Sequence, residues 1–117
     1  MELGKIIAAH NVLKNLPDND IFTEQNHFDI FMLIKSMQPH IEFAEKRAEE
    51  IRGRYSEFED ENGNIVGDPA VKLMREIDTL YRSDINAEFV PIDLPFVKGV
   101  NYKVMCDLDG FVNFHMA

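Results

Sequence analysis

The residues able to do chemistry are few, and spacing decides what each can do. The histidines are His10, His27, His40 and His115. A helical metal site needs two of them three or four residues apart, and no pair has that spacing, so they read as surface or boundary side chains. The run Glu57, Glu59, Asp60 and Glu61, with Asn62 and Asn64, carries oxygen ligands of the kind calcium takes. An EF-hand loop with Gly63 in its sixth position would begin at Phe58 and finish at Pro69, and neither can ligate. The expectation is a solvated acidic loop. Asp107 and Asp109 in DLDG have the types for acid–base or magnesium chemistry, but two acids before a glycine are also ordinary turn composition. Cys106 has no basic neighbour to activate it, and Met105 and Leu108 beside it favour a buried, structural thiol. A single cysteine allows neither a disulfide nor a cysteine-based zinc site within the chain. Walker, dinucleotide-glycine and serine-elbow patterns are absent from the sequence. The residues therefore predict no catalytic group, no cofactor and no metal, and the chain reads as non-enzymatic.

Composition narrows the partners. The chain has 117 residues, 45% of them hydrophobic and 28% charged, which suits one globular domain spanning 1–117. Twenty-one acids against twelve bases leave a formal charge of -9. That field repels nucleic-acid phosphates and anionic membranes. The phenylalanines are not interleaved with Lys or Arg as single-strand binding requires. Acidity serves solubility, and it also suits docking on a basic protein surface. No run approaches the roughly 20 apolar residues of a membrane span, and the opening MELGKIIAAHNVLKNL lacks the apolar core of a secretion signal. With the lone cysteine, this predicts an intracellular protein.

These side chains must be positioned by helices. Leu3, Ile6, Ile7, Val12, Leu13 and Leu16 fall on one stripe and predict a first helix, ended by Pro17, Asp18, Asn19 and Asp20 as a polar connection. From Ile30 the series Ile34, Met37, Ile41, Ala44, Ala48, Ile51, Tyr55 and Phe58 alternates spacings of four and three. Such a heptad marks a helix packed along its length on another helix. The apolar phase does not slip across Pro39, which predicts one long helix kinked there rather than two. Asn62-Gly63 predicts a tight turn. Asp68 and Pro69 supply a cap and first position for an antiparallel return helix over about 70–83, carrying Met74, Ile77 and Tyr81 with Leu73 and Leu80 beside them. Residues 87–92 read as an edge strand at best, 93–99 as an ordered loop, and Asn101 as the cap of a short helix from Tyr102 to Leu108. Phe111, Val112 and Phe114 form an apolar tail packed on the body. The fold class is mainly α: a helical hairpin, a short N-terminal helix, a small extended element and a short C-terminal helix.

This order of parts resembles a family of small uncharacterised proteins of tailed phages and prophages. The resemblance is carried by KIIAAHNVLKNL, by QPHIEFAEKRAEEI with its proline and charges, by the turn DENGNI, and by AEFVPIDL after the return helix. The terminal DLDGFVNFHMA departs from the family layout. The resemblance implies a phage origin, in the host cytoplasm or the virion, and carries no catalytic residues. Two functions are then expected. One is an assembly or accessory subunit of the phage particle that self-associates, or binds a phage structural protein, through an exposed heptad face at Ile34, Met37 and Ile41. The other is an acidic inhibitor of a host enzyme, such as a defence nuclease, that uses Glu57, Glu59, Asp60 and Glu61.

Overall fold

The computed structural model describes residues 1–16 and 20–116. Four helices come first to last as α1 (Leu3–Lys14), α2 (Glu24–Gly53), α3 (Asp68–Arg82) and α4 (Tyr102–Asp107), with strands β1 (Ile92–Pro95) and β2 (Val112–His115) on either side of α4. The fold is mainly α, as expected. The polar connection expected at Pro17, Asp18 and Asn19 lies outside the described residues.

α2 is the spine. Thr23 starts it with a reciprocal cap: its hydroxyl accepts from Asn26 N at 3.1 Å, and Asn26 Oδ1 accepts from Thr23 N at 2.9 Å. This satisfies two backbone donors that a helix start would otherwise leave open. Thirty residues follow without interruption through Pro39, about 45 Å at 1.5 Å per residue, in a molecule 54 Å long. Pro39 is exposed, so the Lys35 carbonyl that loses its donor sits on the wet side of the helix, where water can replace the bond. The helix ends at Gly53, short of the full heptad. Tyr55 is half-buried beyond it, and Phe58 lies in a 3₁₀ turn, Ser56–Phe58, at 48% exposure.

The heptad face divides between two cores. The first half of α2, through Leu33, Met37 and Ile41, packs with α1, Leu94, Leu108 and Phe111. The second half, through Ala44, Ala48 and Ile51, packs with Leu3 and with Leu73, Ile77 and Leu80 of α3. An ion pair from Arg54 to Glu76 at 3.3 Å adds to the α2–α3 contact. Of the apolar residues singled out on α3, Leu73, Ile77, Leu80 and Tyr81 face inward, while Met74 is 71% exposed. The cap of α3 also shifts by one residue, to Gly67, with Asp68 and Pro69 in the first turn.

α1 has no side-chain cap. Its start is held by the far end of α3, where Leu3 N donates to Ser83 O at 2.9 Å and Ile85 N donates to Met1 O at 2.8 Å. The approach is close because residue 4 is glycine: a Cβ there would stand 3.0 Å from the Tyr81 carbonyl oxygen.

The last third departs most from expectation. Residues 87–91 form no strand; β1 begins at Ile92, the last residue of the expected edge strand, and runs on to Pro95 in the segment expected to be loop. β1 pairs in parallel with β2, Ile92 opposite Val112 and Pro95 opposite His115. Parallel neighbours need a crossover, and α4 supplies it, capped by Asn101 Oδ1 on Val104 N at 3.0 Å. The apolar tail is thus a strand, with Phe111 and Val112 buried at its start.

Candidate functional site

The residues singled out by spacing do not come together in one place. Met37 is fully buried and Ile41 is 8% exposed, both in the chain's own core, with Ile34 half-buried against it. The heptad stripe is covered by α1, α3 and the C-terminal segment, so the exposed heptad face expected at these three residues does not exist. The physical reason is that the heptad reports a packed helix without saying whether the packing partner is the same chain.

The acidic run is at the surface. Glu57, Glu59, Asp60 and Glu61 are all exposed, but they are not equivalent. Asp60 Oδ1 accepts from Asn62 N and Asn64 N, both at 2.9 Å. Its backbone N–H donates to Asn64 O at 2.8 Å, and its carbonyl accepts from Gly63 N at 3.0 Å. Gly63, at φ 78°, takes the left-handed conformation that closes the turn. Asp60 therefore builds the loop, while Glu57, Glu59 and Glu61 make no ion pair or side-chain hydrogen bond among the described residues.

Two other assignments change. Cys106, expected buried, is exposed on α4, one turn beyond Tyr102. That phenol is held above its ordinary value, first by its hydrogen bond to the Cys106 thiol. His10, expected at the surface or boundary, is 5% exposed. Among the described residues, no three His, Cys, Asp or Glu side chains gather closely enough to hold a metal ion, and no helix is long and apolar enough to cross a membrane.

A surface that the heptad analysis missed is on the opposite side of α2. Phe28 and Phe31 are 58% and 59% exposed, and Met32 is 45% exposed. They are neighbours on the helix by three- and four-residue spacing. Val90, 86% exposed, joins them across a shallow groove of about 370 Å³ that it shares with Met32. Lys35 Nζ sits 5.9 Å from the Phe31 ring centroid, and Glu24 marks the other end of the face. Single exposed apolar residues are ordinary, but a contiguous group of large ones is characteristic of contact surfaces. The sequence did hold a signal: HFDIFMLI has apolar residues on both sides of the helix, more than one core face can use.

No protein-family model, curated protein or solved structure matches the chain.

Proposed function

We propose that this protein works by protein–protein contact, as a self-associating assembly or accessory subunit of a phage particle, through the outer face of the first half of α2. The observation that carries the reading is the exposed group Phe28, Phe31, Met32 and Val90. The phage setting draws on the resemblance in layout described above. A second copy of this chain suits the face because its charges are self-complementary. Glu24 lies at one end of the helix segment and Lys35 at the other, so an antiparallel pairing of two such helices sets base against acid at both ends. The aromatic rings supply the buried centre that interfaces use.

Light scattering over a wide concentration range tests it. The natural chain is expected to associate, and Phe28→Asp with Phe31→Asp to give a monomer of unchanged helical content. A natural chain that stays monomeric throughout overturns self-association. Capture from phage-infected cells tests the setting: recovery of capsid, portal or tail components by the natural chain, and not by the double variant, is the expected result.

A second reading is favoured by one observation, the three exposed and uncommitted carboxylates Glu57, Glu59 and Glu61. They would let the chain occupy a basic groove on a host enzyme such as a nuclease. Reversing these three to Lys while sparing Asp60 is expected to abolish such inhibition with the fold intact. Inhibition that survives the reversal rules the acidic turn out.

A further inference from the structure

The shallow groove beside the outer face of α2 has the segment before β1 as its second wall. From Ile85 to Pro91 the chain forms neither helix nor strand, yet its burial alternates. Ile85, Ala87 and Phe89 are half-buried against the core, and Asn86, Glu88 and Val90 are exposed. A period of two is that of extended chain, and Pro91 favours the same conformation in the residue before it. Phe89 anchors the segment between two rings, with centroids 5.6 Å from His40 and 5.5 Å from Phe111. Side chains thus fix its position while its main chain stays open. Among the described residues, the N–H and C=O groups of Glu88, Phe89 and Val90 make no hydrogen bond within the protein. An extended segment held in place with open main-chain groups is a template for another strand.

Floor and charge state what kind of chain fits. Met32 of α2, Phe89 and Val90 give the groove an apolar lining, and its charged groups are Asp29 and Glu88. No base lines it. Asp29 accepts from the neutral Gln25 Nε2 at 2.8 Å, and Glu88 makes no ion pair among the described residues. An occupant must therefore bring cations to the two acids and apolar side chains to the floor, and its own main chain to residues 88–90.

We propose that this groove takes an extended, basic segment of a partner protein, added as a strand beside residues 88–90. Its Lys or Arg side chains meet Glu88 and Asp29, and an apolar side chain between them covers Met32 and Phe89. The groove shares Met32 and Val90 with the outer face of α2 but is not lined by Phe28 or Phe31, so the proposal does not rest on self-association.

A five-residue peptide alternating lysine and valine, blocked at both ends, is the probe, and nuclear magnetic resonance on the full chain reads its binding. Two comparison peptides carry glutamate for each lysine or serine for each valine. The lysine–valine peptide is expected to shift the amides of Asp29, Met32 and residues 88–90 saturably. It is also expected to slow hydrogen exchange at one or more of the Glu88, Phe89 and Val90 amides, which strand pairing does and diffuse charge attraction does not. Each comparison peptide is expected to bind at least about ten-fold more weakly, having lost either the charges or the apolar contact. Asp29→Asn with Glu88→Gln is expected to weaken the lysine–valine peptide by about the same factor, with spectra that show the fold unchanged. The Phe28→Asp, Phe31→Asp chain is expected to bind it no less tightly. The proposal is overturned by no response to the lysine–valine peptide, by an equal response to the serine peptide, or by unchanged exchange at all three amides, and each of these leaves self-association untouched. Loss of binding in the Phe28→Asp, Phe31→Asp chain overturns it too, by moving the contact out of the groove.

Discussion

His10 combines a polar ring with a core position. It belongs to the buried face of α1 along with Leu3, Ile6, Ala9 and Leu13, and its Nε2 is left without a partner. Removing a buried, unsatisfied polar group in favour of an apolar one of similar size recovers its desolvation cost, on the order of 1–3 kcal/mol. His10→Leu is therefore expected to raise stability by about 1–2 kcal/mol in urea unfolding. A loss of stability instead would show that the imidazole has a partner and is part of the packing. Tyr55, just past the end of α2, makes a different case. Its phenol is held above the ordinary value of 10.0, first by donating to the Glu76 carboxylate, then by desolvation and by the repulsion ionisation would bring; Arg54 opposes these. A folded-state value raised above the unfolded one favours the protonated form in the folded chain. The resulting stability is fully present below the unfolded value and is lost as pH rises through the folded one, because the unfolded chain ionises first. Following the Tyr55 ring carbons by magnetic resonance, Glu76→Gln is expected to bring the titration down toward the ordinary range, since the charge that resists ionisation is gone.

Helices that touch closely are sensitive to a single methyl group. Gly4 lets α1 approach α3, and a Cβ there would meet the Tyr81 backbone carbonyl at 3.0 Å. Backbone cannot swing aside as a side-chain tip can. The gain of replacing glycine in a helix is about 1 kcal/mol at most and smaller in its first turn, whereas overpacking costs about 1–3 kcal/mol. Gly4→Ala is expected to destabilise, with a lower urea midpoint and an unchanged slope. Pro39 runs the other way. It lies exposed inside α2, and an interior proline costs about 3 kcal/mol, offset in part by its stiffening of the unfolded chain. Pro39→Ala should stabilise by about 2 kcal/mol; no change would mean that the carbonyl it leaves open is fully satisfied by water. These elements differ in how far the sequence announced them. α1, α2 across Pro39, α3 and the Asn101 cap were legible because each is a local pattern of period or turn chemistry. The parallel pairing of β1 with β2 was not: each strand has four residues, too few for an alternation to register, and the pairing joins positions 20 residues apart in sequence. The outward aromatic face was half legible. Phe28 and Phe31 were in plain view as residues, but only the packing of Ile30, Leu33 and Met37 into the core on the other side shows them to be surplus to it.

Charge and apolar surface oppose one another in the molecule as a whole, and their balance separates the two functions. Each copy carries -9 on a body of 54 × 29 × 21 Å. At about 0.01 M salt the Debye length is near 30 Å, so two approaching copies feel one another's whole charge; at 0.15 M it is about 8 Å and the repulsion is confined to local contacts. Contact through Phe28, Phe31, Met32 and Val90 is driven by removal of apolar surface from water, which salt does not screen. Self-association is therefore expected to strengthen as salt rises from 0.01 to 0.15 M, by about ten-fold for each 1.4 kcal/mol of repulsion removed. Docking of Glu57, Glu59 and Glu61 on a basic groove depends on attraction between opposite charges and must weaken over the same range. Sedimentation equilibrium at several salt concentrations reads the sign directly. Association that grows with salt and disappears in the Phe28→Asp, Phe31→Asp chain supports the assembly reading. Association that fades with salt and survives in the Phe28→Asp, Phe31→Asp chain would place the contact on charged groups elsewhere, and the outer face of α2 would lose its claim to be the interface.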